Sequence, residues 1–231
     1  MSIKLFCVPY AGGTAEVFNG LKEYLNDGIE LITVEYSGHG KRAKEPFYET
    51  FDSMAEDTAR VINSYLENGG EYALFGYSMG SVVCFDCIVN KLLKKNPKHF
   101  FIASHEAPGE HWESMEYAEL DDIGFFKKLV DFGGFRAEDE KRMENRFFRK
   151  LIFDPIKADY DLIAQYELKN PEKADVPVTM MYSPDDVKRD SAVLWQNRFE
   201  QKMEFIEMGK NHFFINDEQK RIAEIINERI I

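Results

Sequence analysis

The five residues Gly76-Tyr77-Ser78-Met79-Gly80 constrain this chain more than any other stretch. They spell G-x-S-x-G. The apolar run Tyr72-Ala73-Leu74-Phe75 precedes them, and residues 81–95 follow with apolar positions at helical spacing. A strand, a sharp turn and a helix in that order form the setting in which a serine stands at a strained position above a sheet edge. Side chains at Gly76 and Gly80 would collide with the neighbouring strand and helix, so glycine is required at both. The helix N-terminus behind Ser78 offers N–H groups to a developing negative charge. A turn of this type predicts a nucleophilic serine.

The rest of the chain supplies the sheet that such a turn needs. Apolar runs at residues 3–8, 31–35, 72–75, 100–104, 178–182 and 203–207 read as strands. They are nearly continuous rather than alternating, as in parallel strands covered on both faces. Helical patterns lie between them at 15–26, 51–67, 81–95, 191–201 and 217–229, with Asn216-Asp217 as an N-cap signal for the last. The alternation predicts an α/β fold, a mostly parallel sheet with helices on both faces. With 231 residues, the chain is expected to form one domain over 1–231. Residues 111–167 break the rhythm. They contain no strand pattern but three helical ones, at 123–131, 137–150 and 158–167, the first two separated by Gly133-Gly134. This stretch is expected to form a helical cap over the C-terminal strand ends, where open α/β sheets bind ligands. Some of its apolar residues, such as Phe125, Phe126, Leu129 and Phe132, are expected to line a pocket beneath it.

A net charge of −12 argues against nucleic acid as a partner, because neutralising phosphates needs basic surface. No apolar run reaches the ~18 residues of a membrane span. The N-terminus enters a strand directly, without a signal-peptide layout. A cytoplasmic monomer is the expectation. The three cysteines fit this compartment: Cys7 lies in a predicted strand, and Cys84 and Cys87 lie inside the helix after Ser78. They read as small buried hydrophobes rather than as redox or metal ligands.

A serine nucleophile needs a base to take its proton and an acid to orient that base. On this kind of scaffold the chain order is Ser, acid, His. Of five histidines, His39, His99, His105 and His111 fall in loops or at strand edges ahead of the last strand. His212 follows that strand and precedes the final helix, the position and order expected of the base. The acid is sought after the strand at 178–182, where Asp185 and Asp186 compete. Counting from Val176-Pro177 favours Asp186, which leaves Asp185 as a turn-capping residue. An oxyanion hole needs two amides. Met79, directly after the nucleophile, should give one. The glycine-rich loop Pro9-Tyr10-Ala11-Gly12-Gly13-Thr14 should give the other, with the Ala11 N–H as first candidate and Tyr10 as second. That loop lacks the lysine and spacing of a phosphate-binding loop.

Together these residues resemble the type II thioesterases, discrete editing enzymes of the α/β-hydrolase superfamily that accompany nonribosomal peptide and polyketide synthetases. The likeness spans almost the whole chain. The segment from Leu5 to Gly13 resembles the family's opening strand and oxyanion loop, which usually carries His where Tyr10 stands. The segment from Tyr36 to Arg42, followed by Glu45-Pro46, resembles its P-G-R-G-x-R…E-P motif, with Ser37 for proline and His39 for arginine. Ala107-Pro108 and Phe132-Gly133-Gly134 have family counterparts. The segment from Ile156 to Tyr160 is similar to its R-A-D-[FY] motif, with Lys157 for arginine. Tyr77 replaces the histidine of the usual G-H-S-M-G. The resemblance implies hydrolysis of acyl thioesters on the phosphopantetheine arm of acyl or peptidyl carrier domains, with no metal and no cofactor. Lys41, Arg42, Lys44, Lys127 and Lys128 are the basic residues available to such a partner. An esterase or acyl-CoA hydrolase of the same fold, an acyltransferase and a non-catalytic binding protein remain the alternatives.

Overall fold

The computed structural model describes residues 2–67, 69–109, 117 and 120–230. Six strands form one sheet: β1 (Ile3–Val8), β2 (Ile29–Thr33), β3 (Tyr72–Tyr77), β4 (His99–Ala103), β5 (Val178–Tyr182) and β6 (Glu204–Glu207). The order is β2-β1-β3-β4-β5-β6, and every pairing is parallel. This is the sheet of an α/β-hydrolase fold.

Both faces of the sheet are covered, which explains the continuous apolar runs. Phe6 and Val8 point into one core with Leu74, Phe100 and Ile102. Leu5 and Cys7 point into the other with Ala73, Phe75 and Phe101. The two-residue period assigns alternate side chains to opposite layers. The first layer holds α1 (Phe51–Tyr65) and α2 (Met79–Val89); the second holds α5 (Gln219–Ile230) and the 3-10 segment Ala15–Glu23. Thr50 and Ser53 cap α1 reciprocally: the Thr50 hydroxyl accepts from the Ser53 N–H at 3.1 Å, and the Thr50 N–H donates to the Ser53 hydroxyl at 3.3 Å. Every residue of α2 is buried, so this helix is apolar all round rather than amphipathic. That burial encloses Cys84 and Cys87, which are free thiols raised well above the ordinary cysteine pKa by burial.

Several boundaries differ from the sequence expectation. β2 runs from Ile29, where Ile29 pairs with Ile3, and ends at Thr33 rather than Glu35. The pattern at 81–95 overstates α2, which ends at Val89 as Lys91 turns to φ 56°. The patterns at 15–26 and 191–201 form mostly 3-10 turns. The last helix begins at Gln219, two residues beyond Asp217.

Between β4 and β5 the described chain is helical, with α3 (Asp122–Asp131), a 3-10 turn at Ala137–Glu144, a wide π turn at Arg149–Phe153 and α4 (Asp154–Ala164). His111 and most of the stretch from 110 to 119 lie outside the described residues. Asp121 caps α3 by accepting from the Gly124 N–H at 2.7 Å. Pro155 stands in the first turn of α4, where a missing N–H is tolerated. The segment has a core of its own. Phe125, Phe126 and Leu129 of α3 pack with Met143, Phe148 and Phe153.

Candidate active site

The parallel register brings the functional loops to one edge. Val8 pairs with Gly76, Tyr77 with Ala103, Ala103 with Met181 and Tyr182 with Glu207. The residues just beyond these pairs therefore leave the sheet at its C-terminal edge together, and they carry Ala11, Ser78, Asp186 and His212.

Ser78 sits at φ 52° and ψ −121°, a conformation costly for a residue with a Cβ. The neighbours enforce it. A Cβ on Gly76 would lie 2.5 Å from the Gly80 carbonyl oxygen and the Ser81 Cα, and one on Gly80 would lie 2.1 Å from the Val8 carbonyl oxygen. The Ser78 N–H donates to the Ala103 carbonyl at 2.7 Å, and the Ser81 hydroxyl donates to the Gly76 carbonyl at 2.7 Å. The turn is thus pinned to β3 and to its neighbour β4. The Met79 amide opens α2 directly behind the serine.

Of the two adjacent aspartates, Asp186 meets the histidine. Its carboxylate oxygens lie 2.9 and 3.0 Å from His212 Nδ1, and both side chains are 7 % exposed. Asp185 is exposed and its amide accepts a turn geometry, donating to the Ser183 hydroxyl at 3.3 Å. A carboxylate can only accept, so the ring proton belongs on Nδ1 and leaves Nε2 as a free base. Ser78, Asp186 and His212 line one cavity of about 150 Å³, together with Ala11 and Met79. Ser78 Oγ makes no hydrogen bond among the described residues. In unliganded sites the serine–histidine contact commonly tightens only around substrate. Ala11, Ser78 and His212 also border a second cavity of about 260 Å³, walled by Leu129, Phe132 and Ile156 of the helical segment.

The histidine loop is held by contacts that the sequence did not reveal. The Tyr77 hydroxyl donates to the His212 carbonyl at 2.6 Å and accepts from the Ile215 N–H at 3.3 Å. The Ser104 hydroxyl donates to the same carbonyl at 3.1 Å. Phe132 lies against the imidazole, with ring centroids 4.3 Å apart. It gets there because α3 ends in a turn through Gly133 at φ 86°, closed by the Gly134 N–H on the Leu129 carbonyl at 2.9 Å. Tyr77 was legible as a departure from a motif, and its function as a tether was not. His105 also lines the smaller cavity; burial pushes its pKa down to about 4, so it is neutral. Of the four apolar residues named for a pocket, Leu129 and Phe132 border the cavities beside Ser78, while Phe125 and Phe126 pack in the core of the segment itself. Arg42 is engaged structurally, bonded to Glu45 and to Asp57 at 2.6 Å, and so is not free for a partner. Lys127 and Lys128 are exposed. Among the described residues no cluster of metal-ligating side chains is found, and no helix is long and apolar enough to cross a membrane.

A serine at a strained turn, a base oriented by a buried carboxylate, and Ala11 and Met79 bordering the same cavity form an arrangement able to perform acyl transfer. Comparison with known proteins narrows this. The sequence pattern described as "Thioesterase domain" matches residues 3–230. Thioesterase PikA5 of Streptomyces venezuelae is 24% identical over 234 residues, covering 100% of this chain and 82% of its own. Gramicidin S biosynthesis protein GrsT of Aneurinibacillus migulanus is 23% identical, covering 99% and 89%. Among solved structures, ClbQ from the colibactin NRPS/PKS pathway superposes with a TM-score of 0.88 at 24% identity, covering 100% of this chain and 97% of that one. With the match running from β1 through the turn at Ser78 to the last helix, the chain belongs to the thioesterase domain family.

Proposed function

We propose that the chain hydrolyses acyl thioesters carried on the phosphopantetheine arm of acyl or peptidyl carrier domains, as an editing enzyme for a nonribosomal peptide or polyketide synthetase. The observation that carries the reading is the shared cavity of Ser78 and the Asp186-oriented His212, in a chain of the thioesterase family. In this reading Ser78 Oγ attacks the thioester carbonyl and His212 Nε2 takes its proton. The Met79 and Ala11 amides hold the oxyanion. Collapse expels the thiolate, which receives the proton from His212, and leaves an ester on Ser78. Water then adds with His212 again as base, the carboxylic acid departs, and Ser78 regains its proton. No cofactor enters these steps.

The helical segment supports a cap role in the same reading, since Leu129, Phe132, Ile156 and Tyr160 wall the cavities beside Ser78. Its outer face suits a phosphate-bearing macromolecule. Phe147 (75% exposed), Leu151 and Ile152 form an apolar stretch, and the exposed cations Arg146 and Lys150 stand within it. Ile152 also borders the larger cavity. The test compares turnover of one acyl group offered on a carrier domain, on coenzyme A and as a simple oxygen ester. The proposal expects the highest kcat/KM on the carrier. Equal values on carrier and coenzyme A would reduce it to an acyl-CoA hydrolase, a preference for the oxygen ester would make the chain an esterase, and transfer to an added alcohol or amine in place of water would make it an acyltransferase.

A further inference from the structure

Asp159 of α4 is 1% exposed, and its carboxylate crosses from the helical segment to the loop after β1. Asp159 Oδ2 accepts from the Gly12 N–H at 2.7 Å. The same oxygen lies 3.0 Å from His39 Nε2, although the ring N–H is not aimed along that line, so the contact is an ion pair rather than a formed hydrogen bond. His39, 2% exposed, comes from the loop after β2. One buried carboxylate therefore joins three separate pieces of chain, one of which, the Gly12 loop, borders a cavity with Ser78.

The ring environment favours a charge. His39 Nδ1 is 3.0 Å from the Ser37 carbonyl oxygen, which only accepts, and Nε2 faces a carboxylate, which only accepts. Both nitrogens face acceptors, an arrangement that favours the doubly protonated, cationic ring. Its other neighbours are Glu35, two residues beyond β2, the buried phenol of Tyr36 and the ring of Phe47. No second cation faces it among these groups. Burial opposes protonation, but Asp159, the Ser37 carbonyl and Glu35 outweigh it, and the His39 pKa is raised above the ordinary 6.5.

We propose that Asp159 and His39 are positioning residues that set the oxyanion loop: the imidazolium holds the Asp159 carboxylate, and the carboxylate holds the Gly12 N–H. The inference rests on the reading of the Ala11 amide as an oxyanion donor. Ala11 directly precedes Gly12, so the orientation of one peptide constrains the other. Gly12 stands at φ 74°, and the Gly13 N–H closes the turn on the Tyr10 carbonyl at 2.8 Å. The fit against α4 is close. A Cβ on Gly12 would lie 2.1 Å from Ile156 Cγ1, so the loop packs directly against the helix. An amide donor must be aimed at the place where charge develops, and loss of one such donor costs about 10²–10³ in rate.

The direction of the pH effect follows. His39 gains its partner in the folded state, so the pairing is complete below the unfolded pKa near 6.5 and is lost as pH rises through the raised folded value. Above that value Asp159 keeps Gly12 but loses its counter-charge, and the loop loosens. An arginine at position 39 would stay charged throughout.

The experiment measures kcat and KM against pH for the full chain and for Asp159→Asn, His39→Gln and His39→Arg, with circular dichroism to check folding. Asp159→Asn keeps shape and removes charge, so it is expected to lower kcat about ten- to hundredfold with KM nearly unchanged. His39→Gln should reproduce that loss at low pH. The unmodified protein should show an alkaline decline in kcat that His39→Arg abolishes. Folded Asp159→Asn and His39→Gln proteins with undiminished kcat, or an alkaline limb that survives in His39→Arg, would overturn the positioning role. Turnover that persists in Ser78→Ala would instead overturn the hydrolase reading on which it rests, so the two failures are distinguishable.

Discussion

Two aspartates side by side in sequence have different fates, and the difference is set by one turn. Asp186 and Val187 both donate their amides to the Ser183 carbonyl, at 3.0 and 2.9 Å, and that turn directs the Asp186 side chain inward while Asp185 stays exposed. Asp186→Asn is expected to lower kcat about 10³-fold or more, because the imidazole loses its tautomer and its counter-charge. Asp185→Asn is expected to change kcat by less than about tenfold, as at an exposed turn residue. Steady-state kinetics on both variants check this, and the reverse ranking would move the acid to Asp185. The sequence order of strand, Asp-Asp, strand and His212 was enough to nominate this pair. It was not enough to reveal what Tyr77, Ser104 and Asp159 hold. Those residues act through contacts between elements far apart in the chain, such as the 147 positions between Gly12 and Asp159, and no local pattern encodes them.

At the scale of elements, the turn at Ser78 is a packing problem solved by missing side chains. The start of α2 lies so close to the end of β1 that a methyl group at position 80 would meet backbone, which cannot rotate away. Gly80→Ala is therefore expected to destabilise the protein by about 3 kcal/mol or more, within the range of strain and overpacking effects. Denaturant unfolding measures it, and an unchanged midpoint would show that α2 is free to shift. The strands were legible because burial on both faces leaves continuous apolar runs. The 3-10 segments were not, because their apolar residues, such as Phe18 and Leu21, repeat at spacings that α-helices share. The helical segment before β5 showed its helices but not their division of labour. Phe125 and Phe126 belong to its own core, and Phe132 reaches the histidine only through the turn at Gly133-Gly134.

At the scale of the molecule, a chain of net charge −12 must meet any anionic partner through a local exception. The sequence offered five candidate basic residues, of which Arg42 is taken up by Glu45 and Asp57. Arg146 and Lys150 stand beside exposed Phe147 and Leu151, a combination of apolar anchor and cation that suits a docking surface. Reversing both charges to glutamate is expected to raise KM for an acyl-carrier substrate and to leave KM for a free acyl-pantetheine thioester unchanged, because the latter lacks the domain surface. Equal changes for both substrates would assign these residues to the fold or the cavity. Beneath all of these effects lies the covalent attack by the serine at the strained turn. The most direct measurement is the intact mass of the protein after exposure to a fluorophosphonate or an acyl thioester, with the modified residue mapped by peptide sequencing. The account predicts one adduct on Ser78, with both labelling and turnover abolished in a folded Ser78→Ala variant; undiminished labelling or turnover in that variant would contradict it.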